Sequence, residues 1–336
     1  MIIVIFWASL SVFSLLYAQE TKTIEFSYHQ TNYPLYPATL DTCPDIPSPL
    51  MTNKGMEIVT GFREADSTYT LIPVTVENGK TLNYKRNQWG KGQQLQVDEE
   101  DFLMLAKTGL HSDIELNHTT TITGRTVEEI NEDGRPKRAS YSGFMSQDED
   151  IISVLKSDNR IVKKLGLTHP ELAKPLFHLW NIIHEHDKQM RKLGKPLQGI
   201  DWFYYNGRRI HLLDAGSGHG WQESIFNDGI LGMWQFEITR ELDSYEKTFL
   251  NDKYSHLDAE QMNELLKKLS YIHTGEMVPF YIMRYGFYEG HTSYRADPIA
   301  ISFIFGSRSI EEIENAFIGN LYKILTDHFS GKNIDK

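Results

Sequence analysis

The spacing of apolar residues changes near residue 144 and divides the chain into two regions. From Gln19 to about Gly143, segments such as TIEFSYH and STYTLIPVTVE alternate apolar with polar residues and are rich in Thr, Val, Ile and Tyr, which is typical of strands. From Ser146 onward the apolar residues recur at helical spacing. The change predicts an α+β fold, with a strand-rich N-terminal part (19–143) and a larger, mainly helical part (144–336) that contains a small inserted antiparallel sheet.

Local signals predict where several elements begin and end. Asn78-Gly79 and Asn206-Gly207 predict two-residue hairpin turns, the second in a hairpin near residues 201–240 that GILGMWQFEI extends by a strand. The segment NHTTTITGRTVEEI (117–130) is expected to be extended. The prediction of antiparallel strands depends on these patterns.

Three further patterns predict helices. Ser146 and the acids after it predict one helix start, and Thr168 with Pro170 and Gly194 bounds a second helix. Residues 257–290 are expected to be helical on either side of a break near Gly275 and Pro279, and SIEEIENAFIGNLYKILTDHF is expected to dock on the core as an amphipathic helix.

The N-terminal segment predicts export. Residues Ile2 to Tyr17 are almost continuously apolar, and Ala18 precedes the polar Gln19. A short apolar core followed by a small residue predicts a cleaved signal peptide over residues 1–18 and a secreted or periplasmic protein; an uncleaved anchor is the alternative. No later stretch of the sequence is long and apolar enough to cross a bilayer, so the mature chain is not expected to insert into a membrane.

Charge and cysteine content exclude several function classes. The net charge of −11 argues against nucleic acid or anionic lipid as a main partner, because phosphate binding needs a basic surface. Cys43 is the only cysteine, which excludes an internal disulfide and a cysteine-based zinc site. Aromatic residues make up 12% of the chain, and such rings can stack on a glycan or another envelope-derived ligand.

The stretch LLDAGSGHGWQ (212–222) has glycines at three alternate positions and resembles the S-adenosylmethionine loop of methyltransferases. That resemblance implies a doubly wound parallel sheet. Two features oppose it: FYYNGRRIHLLDA pairs well as an antiparallel hairpin, and the residues after Gly220 have mainly helical patterns. The sequence therefore favours a flexible polar connection between strands over DAGSGHGWQESIFNDG (214–229). Five of its side chains are expected to line a cleft: Asp214, Ser217, His219, Gln222 and Glu223.

Histidines are concentrated in the C-terminal part, and nine of the 13 lie between His169 and His291. On a helix, His184 shares a side with Phe177 and Trp180. A divalent ion such as zinc or calcium, held by His184, His211 and Asp214, is one hypothesis. The alternative for His184 is a buried neutral imidazole bonded to a backbone carbonyl.

The pair His273 and Glu276 is spaced to share one helical face, where the acid can orient the base or both can bind a metal. An ordinary solvent-facing pair is the alternative. The stretch RYGFYEGHTSYRADPIAISFIFG (284–306) is the first candidate for a functional surface, because its polar groups can bind an anion and move a proton. The alternative is a structural network that ties this loop to the apolar segment after it. Its candidate residues are Tyr288, Glu289, His291, Arg295 and Asp297.

These features predict an exported enzyme that acts on carbohydrate or another envelope polymer by hydrolysis or β-elimination, with or without a metal. His and Tyr would serve as base and acid, and Arg would neutralise a uronate. A non-catalytic exported binding or assembly protein is the alternative, and an S-adenosylmethionine-dependent methyltransferase is a third hypothesis.

Overall fold

The computed structural model describes residues 35–37, 50–51, 55–63, 68–77, 125–194, 200–228 and 230–329. The predicted signal peptide, the Asn78-Gly79 turn and Cys43 lie outside these residues. Within residues 125–326, helices combine with an antiparallel sheet, which confirms an α+β fold. The strand-rich character of residues 19–143 as a whole stays a prediction.

The described strands form one antiparallel sheet in the order β1-β4-β3-β5-β6-β7-β8, with β2 paired to β3. The pairing of β3 with β5, in which Thr60 lies opposite Phe203, joins strands on the two sides of the predicted boundary at residue 143. The strands are β1 (Leu35–Pro37), β2 (Leu50–Met51), β3 (Gly55–Arg63), β4 (Thr68–Glu77), β5 (Trp202–Tyr205), β6 (Arg208–Glu223), β7 (Leu231–Arg240) and β8 (Tyr271–Gly275).

The predicted hairpin turn at Asn206-Gly207 is confirmed. Both residues have positive φ, 48° and 72°, as a type I′ turn requires. The strand that follows, β6, is longer than expected and contains the whole glycine motif, paired to β7 with two register irregularities. The expectation of a flexible connection over residues 214–229 is therefore wrong for residues 214–223, because they belong to β6, which pairing with β7 holds extended. The described residues 224–228 do lie between β6 and β7.

Nine helices occur in the described ranges. They are α1 (Val127–Gly134), α2 (Ile151–Lys164), α3 (His169–Lys192), α4 (Ser244–Lys253), α5 (Ala259–Ser270), α6 (Val278–Tyr285), α7 (Pro298–Ile304), α8 (Ile310–Phe317) and α9 (Leu321–Phe329). None of these helices combines the length and the apolarity that are needed to cross a bilayer.

Side-chain caps explain where two early helices begin. Thr126 and Glu129 form a capping box at the start of α1, so the expectation that residues 117–130 are extended is wrong for residues 127–130. Helix α2 begins at Ile151 with Asp150 as its cap, rather than at Ser146. The backbone N–H of Ser146 instead donates to Glu149 at 2.7 Å.

The boundaries of α3 are confirmed. Thr168 and Glu171 form a capping box, Pro170 lies in the first turn, and Gly194 has a φ of 61° after the last turn. The predicted single C-terminal helix is instead two helices, α8 and α9. Ile318 and Gly319 both adopt positive φ between them, which no continuous helix allows.

The segment before α6 also differs from expectation. Residues Tyr271–Gly275 form the edge strand β8 against β7, where a helix was predicted to continue. Ile272 and Thr274 are buried while their neighbours are half-buried, which is the alternation of a strand. Because β8 is extended, His273 and Glu276 do not share a helical face.

Two apolar clusters form the described core. The larger packs α3 and α6 against strands β5 to β8, and the smaller joins α4, α5, α8 and α9. Every residue of α7 is buried between these clusters, which confirms that IAISFIF lies inside. Aromatic rings fill part of the larger cluster: Phe226 stacks on Tyr285 with ring centroids 3.9 Å apart.

Candidate functional site

A cavity of about 410 Å³ lies where the ends of β6, β7 and β8 meet two loops. This volume falls within the range of about 300–1,000 Å³ that is common for small-molecule sites. The described residues that line it come from the loop 139–144, which we call the rim loop, from 232–235 and 275–277, and from Gln222, Glu289 and Tyr294.

Glu276 lines the cavity just after β8 and is tied to β7. Its Oε2 accepts hydrogen bonds from the backbone N–H groups of Met233, at 3.0 Å, and Trp234, at 3.2 Å. Burial raises the pKa of this carboxyl, while the two N–H donors lower it by stabilising the charged form. The Glu276 carboxyl is therefore largely shielded from water and bonded to two backbone donors whose positions are fixed by β7.

Glu289 lines the same cavity and is only 5% exposed. Burial raises its pKa to about 8, against the smaller opposing effects of a hydrogen bond from Thr292 and the charge of Arg295. The Thr292 hydroxyl donates to Glu289 Oε2 at 2.8 Å. With a pKa of about 8, this carboxyl keeps its proton at neutral pH.

The backbone of Glu289 adopts a positive φ of 64°, which is uncommon for a residue with a side chain. Arg295 holds it there, because Nη1 donates to the Glu289 carbonyl oxygen at 2.5 Å. The next residue is fixed as well: the N–H of Gly290 donates to the Phe144 carbonyl at 2.7 Å, which joins the two loops of the cavity. The unusual conformation is thus determined by its surroundings.

Arg295 is buried behind the cavity wall and does not line it. Its Nη2 donates to Asp158 Oδ1 at 2.6 Å and lies 3.4 Å from Asp297 Oδ2. Asp297 also accepts from the N–H of Ile299 at 2.8 Å and so caps α7. This predicted pair of site residues therefore forms an ion-pair network that anchors the loop of Glu289 to α2 and α7.

Tyr288 is fully buried and also lies off the cavity. A hydrogen bond of 3.0 Å joins its hydroxyl to His169 Nδ1, and His169 Nε2 lies 3.2 Å from Asn159 Oδ1. Burial raises the pKa of Tyr288 well above its usual value. The chain of contacts connects the loop to α2 and α3.

His291 bonds to Glu149 through Nδ1, and its backbone N–H donates to the same carboxylate at 2.9 Å. Burial acts to raise the pKa of Glu149, but the hydrogen bond and charge of His291 outweigh it and lower that pKa to about 2. Sequence reasoning assigned Glu149 to a helix start and missed this pairing, because 142 residues separate the partners.

His273 lies beside the cavity behind Tyr294, with ring centroids 4.4 Å apart. Its Nε2 is 3.9 Å from Glu237 Oε1. The Tyr294 hydroxyl donates to Gln235 Oε1 at 3.0 Å, so both of these side chains are held at the cavity wall. The expected contact between His273 and Glu276 is wrong, since Glu276 accepts hydrogen bonds from Met233 and Trp234 whereas His273 lies opposite Glu237.

The three proposed metal ligands lie on two elements. His184 on α3 meets Trp180 edge-to-face at 4.3 Å, and burial lowers its pKa. His211 on β6 has Nε2 4.0 Å from Glu241, and burial lowers its pKa too. Asp214 also lies on β6. Across the described residues, no group of three or more His, Cys, Asp or Glu side chains is placed to hold a metal ion.

The glycine motif lies within an antiparallel strand rather than at a turn from strand to helix. Gly216 pairs with Gln235 of β7, and Gln222 pairs with Gly232. Of the side chains that sequence analysis expected at a cleft, Gln222 lines the cavity, whereas Glu223 is exposed. The geometry that a methyltransferase loop requires is not formed by these residues.

Comparison with known proteins finds no matching family model, no similar curated protein and no similar solved structure.

Gly143 on the rim loop is expected to tolerate no side chain. Its φ is 74°, and a Cβ would lie 2.7 Å from the backbone nitrogen of Pro136 and 2.9 Å from the Met145 carbonyl oxygen. We expect Gly143→Ala to lower the free energy of unfolding by about 1–2 kcal/mol for the conformation and by about 1–3 kcal/mol more for the clash. Urea denaturation measures the total loss in the free energy of unfolding.

Gly166→Ala is the matched control. Gly166 has a similar φ of 64°, but a Cβ there would make only an ordinary contact, 3.5 Å from Arg308 Nη2. Its free energy of unfolding should fall only by the cost of placing alanine at a positive φ. Equal losses in the two variants would show that the rim loop yields to the added methyl group.

Proposed function

We propose that this chain is an exported enzyme that hydrolyses glycosidic bonds, with Glu289 as general acid and Glu276 as its partner carboxylate. The single observation that supports it most is that two carboxyl groups line one cavity in different environments. Most glycoside hydrolases use a pair of carboxyl groups with different pKa values as their catalytic residues.

Each carboxyl has a distinct chemical task in this proposal. Protonated Glu289 gives its proton to the glycosidic oxygen as the bond between that oxygen and the anomeric carbon breaks. The proposal assigns to Glu276 the charged form, which its two N–H donors stabilise; it either removes a proton from the attacking water or attacks the anomeric carbon itself. If Glu276 acts as base, the hydroxyl of the water joins the anomeric carbon, Glu276 releases the proton it gained to solvent, and solvent reprotonates Glu289. If Glu276 acts as nucleophile, water then displaces it from the anomeric carbon, and Glu289 takes the proton of that water and is ready for the next cycle.

The charges of the side chains that line the cavity favour hydrolysis over β-elimination. Elimination from a uronate needs a cation to neutralise the sugar carboxylate. No Lys, Arg or His occurs among the described residues that line the cavity. Arg295 and Arg284, from the loop and helix nearest Glu289, instead pair with Asp158 and Asp228.

The test is a hydrolysis assay of the purified chain on neutral polysaccharides with Glu289→Gln and Glu276→Gln. Each variant is expected to lose about 10²–10⁴-fold in kcat, because each loses proton transfer or nucleophilic attack. The kcat of the parent should fall above about pH 8, where Glu289 releases its proton.

Glu260→Gln is the control, since Glu260 is exposed in the first turn of α5. It should retain full activity. Hydrolysis that survives both cavity substitutions would contradict the assignment. Tight binding of glycans without turnover in the parent would instead favour the exported binding protein.

A further inference from the structure

Tyr141 on the rim loop presents a large ring to solvent beside the cavity. It lines the cavity and is 84% exposed. We propose that Tyr141 forms an outer sugar-binding subsite, and that the substrate is therefore an uncharged oligosaccharide or polysaccharide chain rather than a single sugar. This inference rests on the hydrolytic function proposed above.

The backbone on both sides of Tyr141 is fixed. The N–H of Lys137 donates to the carbonyl oxygens of Ser140, at 2.9 Å, and Tyr141, at 3.2 Å. The N–H groups of Phe144 and Met145 both donate to the Gly134 carbonyl, at 2.8 and 2.9 Å. A ring carried on such a loop is displayed at little further cost in conformational entropy, which favours binding.

Two more rings, those of Trp234 and Tyr294, line the same cavity as Tyr141. Trp234 is half-buried and contacts Trp180 with ring centroids 6.0 Å apart, and Tyr294 is fixed by its bond to Gln235. Aromatic faces pack against the apolar C–H faces of sugar rings, and the Tyr hydroxyl supplies a polar edge. Three rings and two carboxyls around one cavity suit a chain of several sugar units, of which only one bond is cleaved.

The polar groups of the lining are suited to neutral hydroxyls. Gln222, Gln235, Ser140 and Ser142 offer amides and hydroxyls that both donate and accept hydrogen bonds. Anionic chains are disfavoured, because the described lining has two carboxyls and no cationic side chain. The chemistry therefore selects an uncharged sugar chain.

The experiment measures binding by calorimetry to the full chain carrying Glu289→Gln, which prevents turnover. The probes are cello-, xylo- and malto-oligosaccharides of increasing length, with oligogalacturonate as the anionic comparison. Affinity should rise with length for a neutral series. Adding Tyr141→Ala should lower the affinity for long chains by roughly 10-fold, as loss of one stacking contact predicts. The affinity for single sugars should fall less. Tyr141→Phe should keep the stacking.

Tyr245→Ala is the matched control. Tyr245 is 58% exposed on α4, where its hydroxyl bonds to Glu311. It should leave the length dependence unchanged. If neutral chains are hydrolysed by the parent but Tyr141→Ala binds long chains as tightly as its background, the subsite is refuted and the proposed function stands. If only oligogalacturonate binds, the uncharged substrate is refuted. If no sugar is bound or cleaved, the proposed function itself fails.

Discussion

Replacing Arg295 by alanine is expected to lower the free energy of unfolding by about 3–5 kcal/mol, as breaking a buried ion pair does. Asp158 is fully buried and would lose both of its hydrogen bonds to the guanidinium, at 2.6 and 3.3 Å. The Glu289 carbonyl would also lose its donor. Urea denaturation at pH 7 measures the loss.

A double-mutant cycle separates this ion pair from a general effect of removing a charge. Arg295→Ala combined with Asp158→Ala should cost less than the sum of the two single changes, because no uncompensated charge remains. Lys156→Ala removes an exposed cation from the same helix as Asp158 and should change stability by less than about 0.5 kcal/mol. Additive losses in the cycle would contradict the coupling.

Glu289→Gln is expected to make the protein more resistant to alkaline pH. In the unfolded chain this carboxyl ionises near its ordinary pKa of 4.5, but in the folded chain its pKa is about 8. Between these values the unfolded state binds fewer protons, so the parent loses stability as pH rises, by about 1.4 kcal/mol per pH unit. Glutamine removes this loss and can still accept the Thr292 bond.

The measurement is the difference in melting temperature between Glu289→Gln and the parent from pH 5 to 8. The difference should grow in favour of the variant across this window. Glu149, with its pKa of about 2, acts only at lower pH and in the opposite direction. The exposed Glu260→Gln variant should run parallel to the parent. A constant offset for Glu289→Gln would contradict the raised pKa.

Elements that are specified by adjacent residues were predictable from sequence. The Thr168 cap of α3 and the Asn206-Gly207 turn each depend on hydrogen bonds or φ values within a few residues. Strand β8 was missed because its extended state comes from pairing with β7, which lies more than 30 residues earlier. Local propensity carries no information about that partner.

The same limit applies to the candidate site. The sequence did single out Glu276 and Glu289, but for other reasons. Glu276 was expected to contact His273, and Glu289 was expected to act with other residues of its own loop. Their meeting at a shared cavity depends on β8 and on the bond between the two loops. The partners Asp158 and Glu149 lie 137 and 142 residues from Arg295 and His291, so no spacing motif could have revealed them.

The pairing of β3 with β5 has a consequence for the order of events during synthesis. About 140 residues separate Thr60 from Phe203. At ribosomal rates of about 5–20 residues per second, the hairpin of β3 and β4 exists for roughly 7–30 s before β5 is made. During that time the part of β3 around Thr60 and Gly61, which later pairs with β5, has an open hydrogen-bonding edge, whereas β2 pairs with the residues Met56 and Glu57. Such an edge is a template for pairing with other chains, so we expect this part of β3 to be a site of misassembly between nascent copies.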